Sequence, residues 1–331
     1  MMKFFYLSPK EQTIARKPGN ARFARRASVQ ESFYQLDRLF TPLNEVMSGK
    51  IVLITGANSG IGKETSVGLA NMGATLVLVC REREKGESIK RFISDLGRSK
   101  PELIVADLTL QKEVKRAASE FLSSHDKLHV LINNAGRTYS SYAETEDGVE
   151  RTMAVNYFAP FILTNLLLDA LKSSAPSRIV NVASSAHYGG HVDPDKINGD
   201  GGVGPGGLGA YSRSKLALVL FTYELARRLR GTGVTANCLH PGVVRTNFWS
   251  HTGLFGPVTR LGSAFMISAR KGAETPVYLA SSPEVEGVTG KYFENKKTKE
   301  SSTDSHSVEL AARLWEQSEK MTGLSTVMAQ A

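Results

Sequence analysis

The chain has 331 residues, of which 41% are hydrophobic and 22% charged, and it carries two cysteines and a formal net charge of +9. That length suits one large or two ordinary domains. Two cysteines are too few for a disulfide scaffold or a four-ligand zinc site, and no apolar run reaches the roughly 20 residues of a membrane span. We therefore predict a soluble globular protein, whose charge raises the question of nucleic-acid or membrane-surface binding.

The charge is concentrated in the first 46 residues, which hold eight basic and four acidic side chains against 33 and 28 in the rest. Ser28 and Glu31 have the spacing of a capping box. Apolar residues then repeat at helical intervals, and the predicted helix ends near Pro42. These residues are Val29, Phe33, Leu36, Phe40 and Leu43. We predict a basic extension with an amphipathic helix over 1–46 and a globular domain over 47–331.

Three interpretations of the extension stay open. An Arg-rich, acid-poor segment is typical of a mitochondrial presequence, whereas an amphipathic helix could dock on a membrane surface or on the rest of the protein. The segment could also precede a true translation start at Met47. We expect a cytoplasmic protein, or a mitochondrial one if the extension is a presequence.

The first predicted strand, Ile51 to Ile54, leads into the turn Thr55-Gly-Ala-Asn-Ser-Gly-Ile-Gly62 and then into a helix over 63–72. Glycines permit a tight turn and a close approach to a pyrophosphate, and the helix N-terminus attracts its charge. Five residues between Gly56 and Gly62, and Glu64 at the magnesium-ligand position, exclude the phosphate loop of an NTPase. We therefore assign dinucleotide binding to the turn residues Gly56, Asn58, Ser59, Gly60, Ile61 and Gly62.

The second predicted strand, Thr75 to Cys80, ends in Arg81-Glu-Arg83. An acidic residue at this point would bond the ribose 2′-hydroxyl of NAD, whereas an arginine accommodates the 2′-phosphate of NADP. We predict NADP(H), and NAD(H) less strongly, with Arg81 as the main determinant and Ser59 and Arg83 as helpers. The alternative is that 81–85 is only a solvated run of charge.

Strands and helices continue to alternate, and polar residues gather where strands end. The predicted strands and the residues after them are Leu103 to Ala106 with Asp107 and Leu108, Leu128 to Ile132 with Asn133, Ala135 and Gly136, Arg178 to Val182 with Ser184, and Val234 to Leu239 with Pro241 and Gly242. Helices are predicted over 111–123, 148–171, 211–230 and 308–321. The pattern is typical of an α/β, single-domain, Rossmann-type doubly wound parallel sheet with helices on both faces, which binds ligands at the carboxyl ends of its strands.

Tyr211 and Lys215 lie four residues apart, on one face of a predicted helix. An ammonium group beside a phenol favours the phenolate and lowers the tyrosine pKa from about 10. The pair would then suit general acid–base chemistry near neutral pH. A tyrosine and a lysine four residues apart often occur by chance. Here the pair indicates function because it follows a strand that ends at Ser184.

Together these features resemble the short-chain dehydrogenase/reductase family over roughly 48–322. The matching pieces are the glycine turn, Asp107, Asn133-Asn-Ala-Gly136, Asn156, Ser184, Tyr211-x-x-x-Lys215 and Pro241-Gly242. The resemblance implies an oxidoreductase in which Tyr211 exchanges a proton with the carbonyl or carbinol oxygen and Ser184 hydrogen-bonds that oxygen. It also implies that Lys215 lowers the Tyr211 pKa and holds the nicotinamide ribose, and that Asn156 anchors a water of a proton relay. Beside the glycine turn and the two arginines, the implied cofactor-binding residues are Asp107, Leu108, Asn133, Ala135, Gly136, Tyr211, Lys215, Pro241, Gly242, Val244 and Thr246.

Several strings are similar to the retinol dehydrogenase branch of that family. They are Val79-Cys-Arg81, 128–136, 179–187, 239–246 and 282–293. The likeness implies an apolar aldehyde or ketone substrate, or the corresponding alcohol. The apolar stretch from Phe248 to Met266 suits a substrate lid over about 246–275. Seven glycines within 199–209 form either a flexible gate or a tolerated surface insertion.

Other classes of function fit less well. A non-catalytic NADP(H)-binding scaffold or sensor of the same fold is the main alternative. Nucleotide-sugar epimerases and dehydratases usually space their glycines differently and carry a larger C-terminal domain, and no G-x-S-x-G elbow supports a hydrolase. We predict no metal site. We also predict no nucleic-acid partner, since binding of the NADP 2′-phosphate explains the positive charge of Arg81 and Arg83 better than binding of nucleic acid does. A homodimer through the helix faces that begin near Asn156 and Tyr211 stays open.

Overall fold

The computed structural model describes residues 46–97, 100–198, 202–243 and 267–324. Within these ranges one sheet has the strand order β3-β2-β1-β4-β5-β6-β7-β8, parallel from β3 to β7, with β8 antiparallel to β7. The strands are β1 Ile51–Thr55, β2 Thr75–Cys80, β3 Glu102–Val105, β4 Val130–Asn133, β5 Ser177–Val182, β6 Val234–His240, β7 Tyr292–Glu294 and β8 Lys297–Thr298. The predicted Rossmann-type doubly wound sheet is confirmed.

Helices cover both faces of the sheet. Their bounds are α1 Gly60–Asn71, α2 Arg83–Asp95, α3 Gln111–Ser124, α4 Arg151–Met153, α5 Ala159–Leu166, α6 Leu168–Lys172, α7 Leu208–Arg228, α8 Ala269–Ser281 and α9 Val308–Thr322. Helices α1 and α8 pack together on one face, while α3, α5, α7 and α9 pack on the other. The inner strands read as continuous apolar runs because both of their faces are covered, as in β1, whose residues after Ile51 are all buried.

The order of the sheet reverses beside β1, which lies between β2 and β4. A parallel sheet of this kind leaves a crevice at the carboxyl ends of these strands, where the connections diverge to opposite faces. The predicted glycine turn follows β1, Arg81 follows β2, and Gly136 lies shortly after β4. The topology therefore brings all three to one edge of the sheet.

The predicted continuous helix over 148–171 is wrong. The structure has α4, then a π-helix over Ala154–Phe158, then α5 and α6. Pro160 lacks the N–H group that an α-helix would donate to the carbonyl of residue 156, four positions earlier. The predicted helix therefore contains a local π-helix at Asn156, and π-helical turns occur frequently at functional sites.

The last helix, α9, closes the outer face of α7. Trp315 is 1% exposed, and its ring centroid lies 5.0 Å from that of Phe161 and 5.6 Å from that of Phe221. Ser307 caps the start of the helix, and Gly323 ends it in the left-handed conformation (φ 66°). No helix in the described part of the chain combines the length and apolarity that crossing a bilayer requires.

Some predicted features lie outside the described residues. They are the extension up to residue 45, Val244, Thr246, and residues 246–266 of the predicted lid. The remainder of the predicted lid leads into α8. Cys80 and Cys238 are both buried free thiols.

Candidate active site

The glycine turn is packed too tightly for side chains. A Cβ atom on Gly62 would lie 2.3 Å from the carbonyl oxygen of Gly56, and one on Gly56 would lie 2.9 Å from the Cα of Ala135. Gly56 and Gly60 have φ of +67° and +53°, which L side chains rarely adopt. The N-cap residue of α1, Ser59, makes no side-chain capping bond. The turn therefore presents the uncapped N-terminus of a 12-residue helix, a natural anion site.

The turn is held to the end of β4 by two residues that the sequence analysis did not select. The Asn134 side-chain amide donates to the carbonyl of Thr55 at 2.8 Å. The Thr55 hydroxyl accepts from the backbone N–H groups of Asn134 and Ala135, each at 3.0 Å. Asn134 lay within a quoted motif, but only its contacts distinguish it from the neighbouring Asn133.

Asn133 and Asp107 are both bonded within the protein. The side-chain amide of Asn133 donates to Thr164 at 3.0 Å and to Asn181 at 2.8 Å, so both of its hydrogens are used in the core. The Asp107 carboxylate accepts from the backbone N–H and hydroxyl of Thr109. Leu108 beside it is 8% exposed. Their cofactor-binding role stays a prediction.

The end of β2 places two arginines at the surface. The Arg81 side chain is 45% exposed and lies 3.8 Å from the Glu82 carboxylate, a long ion-pair distance. Glu82 pairs more closely with Lys85, at 2.7 Å. Arg83 is exposed and begins α2. Arg81 is therefore only weakly engaged with the neighbouring carboxylate.

The four predicted catalytic residues come from separate elements and converge. Tyr211 and Lys215 lie on α7, Ser184 follows β5, and Asn156 lies in the π-helix. Lys215 Nζ lies 5.7 Å from the centre of the Tyr211 ring and donates to the Val182 carbonyl at 2.8 Å. The Tyr211 hydroxyl is hydrogen-bonded to Ser184.

Asn156 lies close to the other three predicted catalytic residues, as two distances measured from Gly136 show. A Cβ atom on Gly136 would lie 3.3 Å from Asn156 Oδ1 and 3.4 Å from Lys215 Nζ. The Asn156 amide donates to the Arg137 carbonyl at 3.0 Å and to the Ser214 hydroxyl at 2.9 Å, and its oxygen accepts from the Arg137 N–H at 2.8 Å. The side chain thus ties the segment after β4 to α7, while its role towards a water stays a prediction.

Burial dominates the acid–base properties of the pair. It raises the pKa of Tyr211 to about 12, and the hydrogen bond from Ser184 offsets only part of that rise. Burial also lowers the pKa of Lys215 to about 7, because an ammonium group loses its hydration there. The expectation that Lys215 brings the Tyr211 pKa below 10 is therefore wrong for this structure. A lysine that is only half charged near neutral pH stabilises a phenolate less.

A cavity of about 330 Å³ opens over these residues. Its lining residues are Ile61, Asn134, Gly136, Val182, Ala183, Ser184, Ser185, Ala186, Tyr211, Lys215, His240, Pro241, Gly242 and Val243. It joins the glycine turn to the acid–base pair, and most of its other side chains are small or apolar. A larger groove of about 830 Å³ runs past the amino ends of β5 and β6, and contains none of the predicted site residues.

Two histidines, one after β5 and one at the end of β6, belong to the surroundings of the site. His187 is fully buried, with Nδ1 2.6 Å from the Ser184 carbonyl oxygen and Nε2 accepting from the Ser302 N–H, so it holds the loop after β5. His240 lines the cavity, and its Nδ1 is buried with no hydrogen-bond partner among the described residues. Burial lowers the pKa of both, so both imidazoles are neutral at pH 7.

The glycine-rich segment packs against the loop after β4 where the structure describes it, from residue 202 onward. Gly207 has φ +83°, and a Cβ atom on it would lie 2.1 Å from the Tyr139 carbonyl oxygen. The Ala210 N–H donates to Val203, which closes the segment on itself just before Tyr211. Position 207 therefore requires glycine, because a side chain there would clash with the Tyr139 carbonyl oxygen.

Comparison with known proteins decides the family. A family model for the short chain dehydrogenase matches residues 50–253. The chain belongs to the short-chain dehydrogenase/reductase family. It is 42% identical to human retinol dehydrogenase 13 over 292 residues, which are 86% of this chain and 87% of that protein. It is 45% identical to human retinol dehydrogenase 14 over 297 residues, 84% of this chain and 88% of that one.

Solved structures agree with the fold. An uncharacterised protein of Mycobacterium paratuberculosis is 31% identical, with a TM-score of 0.67, over 85% of this chain and 96% of that one. A protein of Beutenbergia cavernae described as a putative NAD(P)-dependent gluconate 5-dehydrogenase, solved with NADP bound at low occupancy, is 26% identical. Its TM-score is 0.62, over 76% of this chain and 97% of that one. As a member of this family the chain is an oxidoreductase with a nicotinamide cofactor, and its likeness to retinol dehydrogenases is confirmed.

Proposed function

We propose that this short-chain dehydrogenase/reductase is NADP(H)-dependent and transfers a hydride between nicotinamide and an apolar aldehyde or ketone, or the corresponding alcohol. The observation that carries the proposal is the cavity itself. The Tyr211 hydroxyl, bonded to Ser184, and the Lys215 ammonium meet there within reach of the glycine turn. A scaffold or sensor would not need a buried lysine beside a buried tyrosine, since burying such groups costs stability.

The cofactor side fits a dinucleotide. Gly56 and Gly62 leave no room for a Cβ, and the uncapped start of α1 can receive a pyrophosphate. Arg81 at the end of β2 is exposed and only weakly paired, so it can bond a 2′-phosphate through two of its N–H groups. The relative from Beutenbergia cavernae was solved with NADP, which supports the same choice.

Proton transfer is assigned to Tyr211. The nicotinamide ring supplies or accepts the hydride when the cofactor is bound. With a pKa of about 12 the Tyr211 hydroxyl holds its proton throughout the physiological range, which suits donation to a carbonyl oxygen during reduction. Ser184 would orient that oxygen, and Lys215 would contact the nicotinamide ribose and the phenol.

The substrate is proposed to be apolar. Val182, Ala183, Ala186, Pro241 and Val243 contribute to the cavity wall and offer no charge to a ligand. The relatives named retinol dehydrogenase support a long apolar aldehyde or alcohol. Retinal is therefore the first substrate to test.

Placement in the cell is also a proposal. We propose a cytoplasmic enzyme, with mitochondrial import or peripheral membrane contact through residues 1–46 as the alternative. A homodimer is compatible with the family, although α9 already covers the outer face of α7 through Trp315. Light scattering of the purified chain and fractionation of cells that express it with and without residues 1–46 test these points.

The testing experiment is a rate measurement with NADPH and with NADH over aldehydes and ketones of graded length, with all-trans-retinal included. We expect a higher kcat/KM with NADPH, rising with the apolar length of the substrate. Tight NADPH binding without turnover on any member of the panel would instead favour the scaffold or sensor. Equal efficiency with NADH would contradict the cofactor assignment.

A further inference from the structure

His240 is a buried histidine in the wall of the catalytic cavity. Three polar side chains of that wall are more than nine-tenths buried, namely Tyr211, Lys215 and His240. Tyr211 is bonded to Ser184, and Lys215 to the Val182 carbonyl. The imidazole of His240 has no hydrogen-bond partner among the described residues. Because buried polar groups are normally hydrogen-bonded, a ligand in the cavity is a candidate partner for this ring.

The pattern of β6 places the His240 side chain on the same face of the sheet as α7. Alternate side chains of a strand point to the same face, and Ala236 and Cys238 both belong to the core beneath α7. His240 is the next residue in that series and the last of β6. Since α7 carries Tyr211 and Lys215, all three side chains lie on one side of the sheet, at the end where the cavity opens.

The two ring nitrogens of His240 differ in their surroundings. Nδ1 is enclosed by protein, whereas Nε2 is not one of the enclosed, unpartnered nitrogens in the described part of the chain. Burial lowers the pKa of the imidazole, so the ring is neutral at pH 7 and can donate one hydrogen bond and accept another. Since the residue lines the cavity, Nε2 is the nitrogen that a ligand there can reach.

The chemistry of the cavity favours the cofactor over the substrate as the partner of His240. An apolar aldehyde or ketone brings a single oxygen, and Tyr211 and Ser184 are placed together to bind it. The nicotinamide ring carries a carboxamide, whose oxygen accepts and whose amino group donates, and this uncharged group matches a neutral imidazole. Pro241 and Gly242, which directly follow His240, also line the cavity.

We propose that Nε2 of His240 hydrogen-bonds the carboxamide of the nicotinamide and so orients the ring in the cavity. The inference rests on the proposed function, because it requires that the cavity hold the nicotinamide end of the cofactor. His240 is a positioning residue in this account, and Tyr211 keeps the proton transfer. The contact applies to NADPH and NADH alike, since both carry the carboxamide.

The test compares His240→Asn with His240→Gln, which both place an uncharged amide at this position. The glutamine amide reaches about as far as Nε2, whereas the shorter asparagine amide ends near Nδ1. His191→Asn is the control, since His191 is exposed and does not line the cavity. Isothermal titration calorimetry at pH 7 gives dissociation constants for NADPH and for adenosine 2′,5′-bisphosphate, which lacks the nicotinamide half.

The loss of affinity should be confined to the complete dinucleotide. His240→Asn should weaken NADPH binding about 5- to 30-fold, as expected for one lost hydrogen bond in a buried site, and leave the bisphosphate within about twofold of the wild type. His240→Gln should bind NADPH within about threefold of the wild type, and His191→Asn within about twofold. His240→Ala, which removes the whole ring, replaces the asparagine variant if that one fails to fold.

Several outcomes overturn the inference while the proposed function stands. They are NADPH binding by His240→Asn within twofold of the wild type, an equal loss of NADPH affinity in the Asn and Gln variants, and a loss for the bisphosphate as large as that for NADPH. A higher KM for retinal with unchanged NADPH affinity would assign the imidazole to the substrate, and so would also contradict the inference. If wild-type protein binds neither NADPH nor NADH, the proposed function fails and this inference fails with it.

Discussion

Replacing Lys215 by methionine should stabilise the protein while abolishing catalysis. Lys215 is 3% exposed, and its one hydrogen bond in the described structure is to the Val182 carbonyl. Burial lowers its pKa from 10.5 to about 7. The Lys215 side chain is therefore protonated more easily in the unfolded chain than in the folded one, and this difference lowers the stability of the folded state at pH 7.

The expected change in the free energy of unfolding follows from the difference between the folded and unfolded pKa values of Lys215. A fall in pKa of about 3.5, at roughly 1.4 kcal/mol for each unit of pKa, would cost about 5 kcal/mol if Lys215 stayed fully charged in the folded state. At pH 7 half of the folded molecules have already released this proton, so the cost is about 4 kcal/mol. Methionine has a similar length, but it leaves the Val182 carbonyl unpaired, which costs about 1–3 kcal/mol. Lys215→Met should therefore raise the free energy of unfolding at pH 7 by about 1–3 kcal/mol.

The contribution of Lys215 to the free energy of unfolding changes with pH in a definite direction. Between pH 7 and 10.5 the unfolded chain keeps the Lys215 proton while the folded chain releases it. Because the unfolded state then binds more protons, this residue makes the wild type more stable as pH rises through that window. The advantage of Lys215→Met should therefore shrink by about 2 kcal/mol between pH 7 and pH 9.

Urea unfolding at pH 7, 8 and 9, followed by tryptophan fluorescence, measures this difference. Lys271→Met is the control, since Lys271 is 56% exposed on α8 and should change stability by less than about 0.5 kcal/mol at every pH. A Lys215→Met variant that is less stable than the wild type at pH 7, or whose advantage does not change with pH, would refute the reasoning.

Three further predictions concern the cofactor and the core. Arg81→Asp should shift the NADPH/NADH ratio of kcat/KM towards NADH by at least about tenfold, and an unchanged ratio would mean that another residue reads the 2′ position. Gly62→Ala should weaken binding of both nucleotides more than tenfold, since its Cβ would lie 2.3 Å from the Gly56 carbonyl oxygen; wild-type dissociation constants would show that the turn relaxes freely. Trp315→Ala should lower the free energy of urea unfolding by about 3–5 kcal/mol with little effect on KM, because the indole packs on Phe161. A loss below about 1 kcal/mol would mean that α9 adds little to the core.

Much of the site could be predicted because its chemistry coincides with strand ends. The apolar run of β2 was predicted with its observed bounds, Thr75–Cys80. Tyr211 and Lys215 could be paired because helical periodicity places residues four apart on one face. Each of these inferences depends on a local pattern joined to a general rule about parallel sheets.

The features that the sequence did not reveal depend on contacts between distant segments. Asn134 holds Thr55 across 79 positions of the chain, and nothing in its neighbourhood distinguishes it from Asn133. Burial cannot be read from the order of the residues. It raises the Tyr211 pKa, whereas the sequence predicted that Lys215 would lower it.

The central claim, that Tyr211 is the proton donor of an NADP(H)-dependent reductase, is tested most directly by Tyr211→Phe. The substitution removes one hydroxyl that bonds Ser184 and leaves the ring in place. Retinal reduction and NADPH fluorescence titration are measured on the same preparation. The account predicts a loss of kcat of at least about 100-fold, with a dissociation constant for NADPH within about twofold of the wild type. Turnover within about tenfold of the wild type would contradict it.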